Sequence, residues 1–293
     1  MRTTFINSLV EMAKKNDKII LVVGDLGFNV VEPFQKKFPE RFFNAGVAEQ
    51  NMASLAAGLA SQGFKVFVYS IANFPTFRCA EQLRNDIDYH KLDVTIVTVG
   101  AGYAYGNLGY SHHAVQDYGL IRLFPNFNIF VPGDILEVEA SLNFISKNNG
   151  PNYLRLNKNN DPIIFKNKLR LSRGSVNYFK KIKKSKKLIL TTGSALNSAI
   201  KLGEKKKYSS FSIASCPLWS SNSRKNISKY LTNFNEIIVM EDHYLDGGFY
   251  SYILETIAMY KIKNLNTSNF SLSSKYNYFS ASQKKLNLKN GLI

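Results

Sequence analysis

Residues 65–100 read KVFVYSIANFPTFRCAEQLRNDIDYHKLDVTIVTVG. The opening run KVFVYS, at 65–70, and the closing run DVTIVTVG, at 93–100, are short, apolar and β-branched, as buried strands are; residues 76–89 between them form a helix. A strand, a crossover helix and a second strand of this kind make a βαβ unit, and its parallel sheet must be covered on both faces. Upstream, Phe5, Leu9, Val10 and Met12 fall at helical spacing within 3–16, and KIILVVGD at 18–25 is a buried strand ending in a loop. Residues 51–62, NMASLAAGLASQ, form a helix of small residues that lets a second subunit approach closely, so Ala56 is expected at a subunit interface.

Downstream of a glycine-rich loop the alternation repeats, with helices near 115–123 and 135–147 and strands at 128–131 and 153–156. Between 160 and 185 it gives way to Asn-, Lys- and Arg-rich sequence. A second alternation follows: a strand from 187 with a loop to Ser194, a helix from Ala195, strands at 211–214 and 236–240, and a helix opened by Gly247-Gly248 and running to about 262. The class is α/β, with two doubly wound sheet domains, 1–165 and a smaller 186–293, joined by a linker at 166–185. The last 25 or so residues are weakly periodic and expected at the periphery.

A chain of 293 residues with 45% apolar and 20% charged composition folds around a large core and fits two domains. No apolar run approaches the roughly 18–20 residues of a membrane span. The opening MRTTFINSLVEMAKKND lacks the apolar run and cleavage site of a secretory leader, and the chain is read as cytoplasmic. Cys79 and Cys216 lie far apart, with no spacing that suggests a disulfide framework or a zinc site, and no metal ligands are expected on this chain. The net charge of +17 arises in the second half: residues 1–165 hold 15 Lys and Arg against 15 Asp and Glu, residues 166–293 hold 23 against 6. Its lysine-rich loops, such as 180–187, read as a solvated face. No RNA-binding aromatic signature or helix-turn-helix accompanies them, so neither nucleic acid nor membrane is an expected partner.

Three segments could carry chemistry. NAGVAEQNM, at 44–52, sets one carboxylate, Glu49, on the first turn of the small-residue helix; read bare, it is an acid favoured by the helix dipole. Phe74 and Phe77, at i and i+3 of a helix start, share a face that can stack on a flat heteroaromatic ring or pack into the core. GNLGYSHHAVQD, at 106–117, is a glycine-rich loop holding two of the four histidines, and a flexible loop is a poor place to satisfy two imidazoles structurally.

In this order and spacing the segments resemble the transketolase family of thiamine diphosphate enzymes, in its pyrimidine-binding and C-terminal domains, over nearly the whole chain. GVAEQNM is similar to the family's glutamate motif, Phe74-x-x-Phe77 to its pyrimidine-stacking aromatics, and Ser111-His112-His113-x-x-x-Asp117 to its substrate-loop histidine segment. Gly193-Ser194 and Glu241-Asp242-His243-x-x-x-Gly247-Gly248 resemble signatures of its C-terminal domain. The resemblance implies that Glu49 is both catalytic and cofactor-binding. A carboxylate at the aminopyrimidine N1′ favours the imino tautomer, whose 4′ nitrogen can remove the thiazolium proton. Phe74 and Phe77 would hold that ring, and His112 would hydrogen-bond or shuttle protons at the donor hydroxyls.

The family's G-D-G motif and distant Asn pair, which hold Mg²⁺ and the diphosphate, have no counterpart: Gly24-Asp25-Leu26-Gly27 and Gly133-Asp134-Ile135 both depart from it. The resemblance therefore implies the C-terminal half of a split transketolase, moving a two-carbon ketol unit between sugars. Thiamine diphosphate would be shared with a separate N-terminal subunit that binds Mg²⁺, and the chain would homodimerise within a heterotetramer. The implied substrate-binding residues are Arg2, Leu108, His112 and Lys158. Arg2 matches a phosphate-binding arginine, Lys158 stands for a second one, Leu108 for an acid that reads a donor hydroxyl, and Gly100 for a channel histidine; these departures point to a specialised sugar pathway. The alternatives are a β-type subunit of a 2-oxo acid dehydrogenase or a deoxyxylulose-phosphate-synthase-like enzyme, and a non-catalytic binding protein on the same fold.

Overall fold

In the computed structural model, which describes residues 1–158, 163–276 and 278–292, the β-branched runs of the first half pair in parallel. They form β1 (Ile19–Val23), β2 (Phe42–Asn44), β3 (Lys65–Ile71), β4 (Val94–Val99), β5 (Asn128–Phe130) and β6 (Asn152–Leu156). The second half contributes β7 (Asn177–Lys180), β8 (Lys187–Thr191), β9 (Ser212–Ser215), β10 (Leu218–Trp219), β11 (Glu236–Tyr244) and β12 (Asn266–Leu272). One sheet runs β10-β5-β6-β4-β3-β1-β2 and the other β12-β11-β8-β9-β7. All pairings are parallel except β10 with β5 and β7 with β9.

Alternation along each strand feeds both faces of the first sheet. Leu21, Phe67 and Leu154 pack under the helices Arg2–Lys15 and Ile135–Lys147, through Phe5, Leu9, Val138 and Leu142. Ile20, Val22, Val66 and Ile96 point the other way, onto Met52, Ala53 and Ala56 of the helix Glu49–Ser61. Ala56 is fully buried there, which corrects its expected place at a subunit interface: its small size lets this helix approach its own sheet. The residues that helix leaves exposed are Gln50, Asn51, Ser54, Leu55, Gly58 and Ser61.

Four other departures bear on the site. The helix read at 76–89 is instead two π-helical turns, Phe74–Arg78 and Leu83–Asp88, flanking a short α-helical turn, Ala80–Gln82. Pro75 lacks an N–H, and the Thr76 hydroxyl donates to the Ala72 carbonyl at 2.6 Å; such wide turns re-aim side chains and recur at functional sites. β7 lies inside the stretch read as a linker. β10 crosses from the second half of the sequence to complete the first sheet, and Trp219 at its end is buried among Tyr118, Phe249 and Tyr252. The C-terminal tail is not peripheral: Leu286, in the helix Gln283–Lys289, and Leu292 are buried, and the Ala281 N–H donates to the Gly106 carbonyl at 3.2 Å. No helix among the described residues is long and apolar enough to cross a membrane.

Candidate active site

The candidate site lies at the carboxyl ends of β1 to β4, where the loops leave the first sheet. After β2, the Asn44 Oδ1 accepts from the backbone N–H of Asp25 and of Gly46, both at 3.0 Å, which fixes the turn leading to Glu49. Gly46 takes a φ of +70°, and a Cβ built there would meet nothing within 4 Å, so this side of the turn is open space. Glu49 begins its helix with no side-chain cap before it, among N–H groups that favour a carboxylate, and is 1% exposed. Its Oε2 accepts from Arg78 Nη1 at 2.5 Å. The Arg78 side chain is itself 48% exposed and lies over the Phe74 ring at 5.1 Å. Burial pushes the neighbouring Cys79 thiol up to about 12, reinforced by the Glu49 charge, so Cys79 is a neutral packing residue rather than a nucleophile.

Phe74 and Phe77, with Arg78, Tyr110, Ser111 and Gln116, wall a cavity of about 550 Å³ that also touches Asn73. Asn73 Nδ2 donates to the Ser111 and His113 carbonyls at 2.9 and 3.1 Å, tying the 106–114 loop to the π-helical turn. His112 meets Phe74 edge-on, with ring centroids 5.4 Å apart, and its Nδ1 lies 3.0 Å from the Ser111 hydroxyl. Burial lowers its pKa, so the imidazole is neutral near pH 7 and can both donate and accept. His113 differs: it is buried, its Nε2 lies 3.2 Å from the Gly106 carbonyl, and its ring stands edge-on to Tyr103. The loop, read as a poor place to satisfy two imidazoles structurally, holds one of them, His113, by a single ring nitrogen, and its buried Nδ1 has no partner among the described residues.

Glu49, Phe74, Phe77 and His112 thus converge through Arg78 and Asn73, which the sequence reading passed over. Leu108 is in the same loop, exposed. Arg2 and Lys158 gather instead around Tyr105. Lys158 Nζ lies 4.4 Å from the centre of that ring, and burial raises the Tyr105 phenol while the Arg2 charge opposes the rise. The Tyr105 ring is 6.2 Å from His112, which links the two groups. It also fills the room above Gly100, where an added Cβ would fall 2.3 Å from Tyr105 Cδ2. The one sequence signal for this was a glycine at a strand end followed by an aromatic loop.

Behind the loop is a sealed polar cluster. Arg155 on β6, without exposed side-chain surface, donates to Asp117 Oδ2 at 2.8 Å, to Asp242 Oδ1 at 2.5 Å and to the Ala114 carbonyl at 2.6 Å. Tyr153 and Ser194 hydroxyls donate to the same two aspartates at 2.7 and 2.6 Å. Glu241 accepts from the Tyr118 and Ser271 hydroxyls at 2.8 Å each, and burial pushes it up to about 7. His243 stacks on Tyr118 at 3.9 Å, and burial holds it down to about 4, neutral. The Glu241-Asp242-His243 segment therefore clamps the two sheets together and supports residues 114–119 from behind. Asp134 is likewise structural: it caps the helix Ile135–Lys147 and accepts N–H groups from Glu137, Ile164 and Phe165. Among the described residues, no three His, Cys, Asp or Glu side chains converge as a metal site would require.

Comparison with known proteins matches residues 1–162 to the transketolase pyrimidine-binding domain. The chain is 33% identical over 264 residues to a transketolase C-terminal section from Methanocaldococcus jannaschii, covering 88% of this chain and 82% of that one. It is 34% identical over 167 residues to one of the subunits of the apulose-4-phosphate transketolase of Phocaeicola vulgatus, covering 57% of this chain and 54% of that one. Among solved structures, a split-gene transketolase in an inactive β4 tetramer superposes with a TM-score of 0.86 at 27% identity, over 99% of this chain and 93% of that one.

Proposed function

We infer the function from one premise: the chain belongs to the transketolase family. It resembles the C-terminal subunit of a split transketolase, and its work is the transfer of a two-carbon ketol unit between sugars in concert with a separate N-terminal subunit. The observation that carries this reading is Glu49: a carboxylate sealed from water, its hydrogen-bond partner a half-exposed arginine, beside a cavity walled by two phenylalanines. These residues fit an aminopyrimidine, with the acid for its ring nitrogen, the aromatic wall for its face and open space beside Gly46.

Thiamine diphosphate, when bound, supplies the electron sink that lets the bond beside a ketose carbonyl break. Glu49 holds a proton against the pyrimidine, and exclusion of water keeps that proton shared rather than lost to solvent. Neutral His112 donates to or accepts from a donor hydroxyl. Arg2 and Lys158 attract the phosphate end of the sugar. Mg²⁺ and the diphosphate belong to the partner subunit. The inactive β4 tetramer of the split-gene relative supports the need for that partner. Leu108 in place of an acid, and Tyr105 in the room above Gly100, support a specialised sugar phosphate as substrate, as does the likeness to part of an apulose-4-phosphate transketolase.

The test is reconstitution with the matching N-terminal subunit. The complex should transfer a ketol unit between sugar phosphates, and the chain alone should neither turn over nor bind thiamine diphosphate tightly. Tight, Mg²⁺-dependent cofactor binding by the chain alone would overturn the split-enzyme reading. Pyruvate decarboxylation by the complex without ketol transfer would assign it to the oxo-acid branch.

A further inference from the structure

A second cavity, of about 480 Å³, lies between the helices Ala195–Glu204 and Gln283–Lys289 and shares no lining residue with the cavity of Phe74 and Phe77. Ser194, Asn197 and Lys201, at turn-like spacing, wall one side; Ser282, Lys284 and Asn287 wall the other. No lining residue is acidic and none is aromatic. Lys201 and Lys284 are exposed and form no ion pair or hydrogen bond among the described residues. The Asn287 carboxamide oxygen is buried and lacks a donor. Two unneutralised ammonium groups set among hydroxyls and amides select an anion that itself carries hydroxyls. With no ring to stack on, a nucleobase would gain little here. We propose that this cavity binds a sugar phosphate as an effector, at a site separate from the substrate channel.

Both walls are tied to the loop that carries His112. On one side, Ala281 bonds the Gly106 carbonyl, and Leu286 packs so closely that a Cβ on Gly106 would fall 2.7 Å from it. On the other, Ser194 bonds Asp242, which is ion-paired to Arg155, which holds the Ala114 carbonyl. A ligand that draws the two helices together therefore firms the loop from both ends, and the substrate loop in turn affects the ligand by the same factor.

Calorimetric titration of the full chain separates this site from the channel. Ribose 5-phosphate should bind one to one, at least about tenfold more tightly than inorganic phosphate, ribose or AMP. Lys201→Met with Lys284→Met should weaken it by about tenfold or more, while Lys158→Met leaves it unchanged. In the reconstituted complex the lysine pair should keep the basal rate and lose the response to added ribose 5-phosphate. Absence of binding at millimolar ligand, AMP binding as tightly, or a loss in Lys158→Met equal to that of the lysine pair would each overturn the proposal. Because binding is read on the chain without turnover, these results stand apart from whether the complex transfers a ketol unit.

Discussion

Two arginines of this chain meet carboxylates at closely similar distances, in opposite surroundings. Arg78 reaches Glu49 from a half-exposed position, while Arg155 lies between Asp117 and Asp242 with no exposed side-chain surface. In the first pair the guanidinium can turn to water if a ligand takes its place, and the proposed role of Glu49 needs that exchange. In the second, every partner is protein, and nothing can leave without stranding a charge in a poorly polarisable interior. The same pair of groups is a replaceable stopper in one place and a rivet in the other.

The harshest way to break the comparison is to cut the rivet. Arg155→Met leaves two buried aspartates facing each other and should cost about 3–5 kcal/mol of stability in urea unfolding. A loss below about 1 kcal/mol would mean that the cluster is hydrated and the contrast false. Glu49→Gln should do the reverse, leaving unfolding nearly unchanged while slowing cofactor C2–H exchange in the reconstituted complex by about 10²- to 10⁴-fold. Full exchange in this variant would return Glu49 to the role of a helix-end acid.

The sealed region should also announce itself through pH. Burial holds Glu241 up to about 7 against its usual 4.5, so the folded state binds that proton more tightly than the unfolded chain. The stability it contributes is complete below 4.5 and is lost as the pH rises through 7, amounting to about 3 kcal/mol. His243, held down to about 4, works in the opposite sense across the same range. The clean measure is therefore wild type minus Glu241→Gln, which should decline from pH 4.5 to 7; a flat difference would refute the assignment. The smallest effect is expected at the stopper, where water that already reaches the half-exposed Arg78 can take its place beside Glu49, so Arg78→Ala should cost about 1 kcal/mol, well below Arg155→Met. A larger loss would show Arg78 to be part of the frame.

Much of this was legible in the sequence, for identifiable reasons. Short runs rich in apolar and β-branched residues mark β1, β3, β4 and β8, and Glu49, Phe74, Phe77 and His112 are singled out because each lies in a segment whose order and spacing resemble a known family. Arg155 was not legible: within NYLRL it reads as one more strand residue, and its partners lie 38 and 87 positions away. Tyr105 escaped because its significance depends on the room left by Gly100, and two-residue β10 is too short to show any period. Ala56 misled because a small residue invites close approach equally by another subunit and by its own sheet.

The crossing of β10 has a consequence for how the protein is made. The ribosome delivers β1 through β6 well before Leu218 and Trp219 emerge, so the nascent first sheet must wait with the outer edge of β5 bare. A translation product cut short anywhere between β6 and β10 would carry that raw edge permanently and tend to stick to its own kind. The boundary between the two halves of this chain is therefore a poor place for evolution, or an engineer, to cut it.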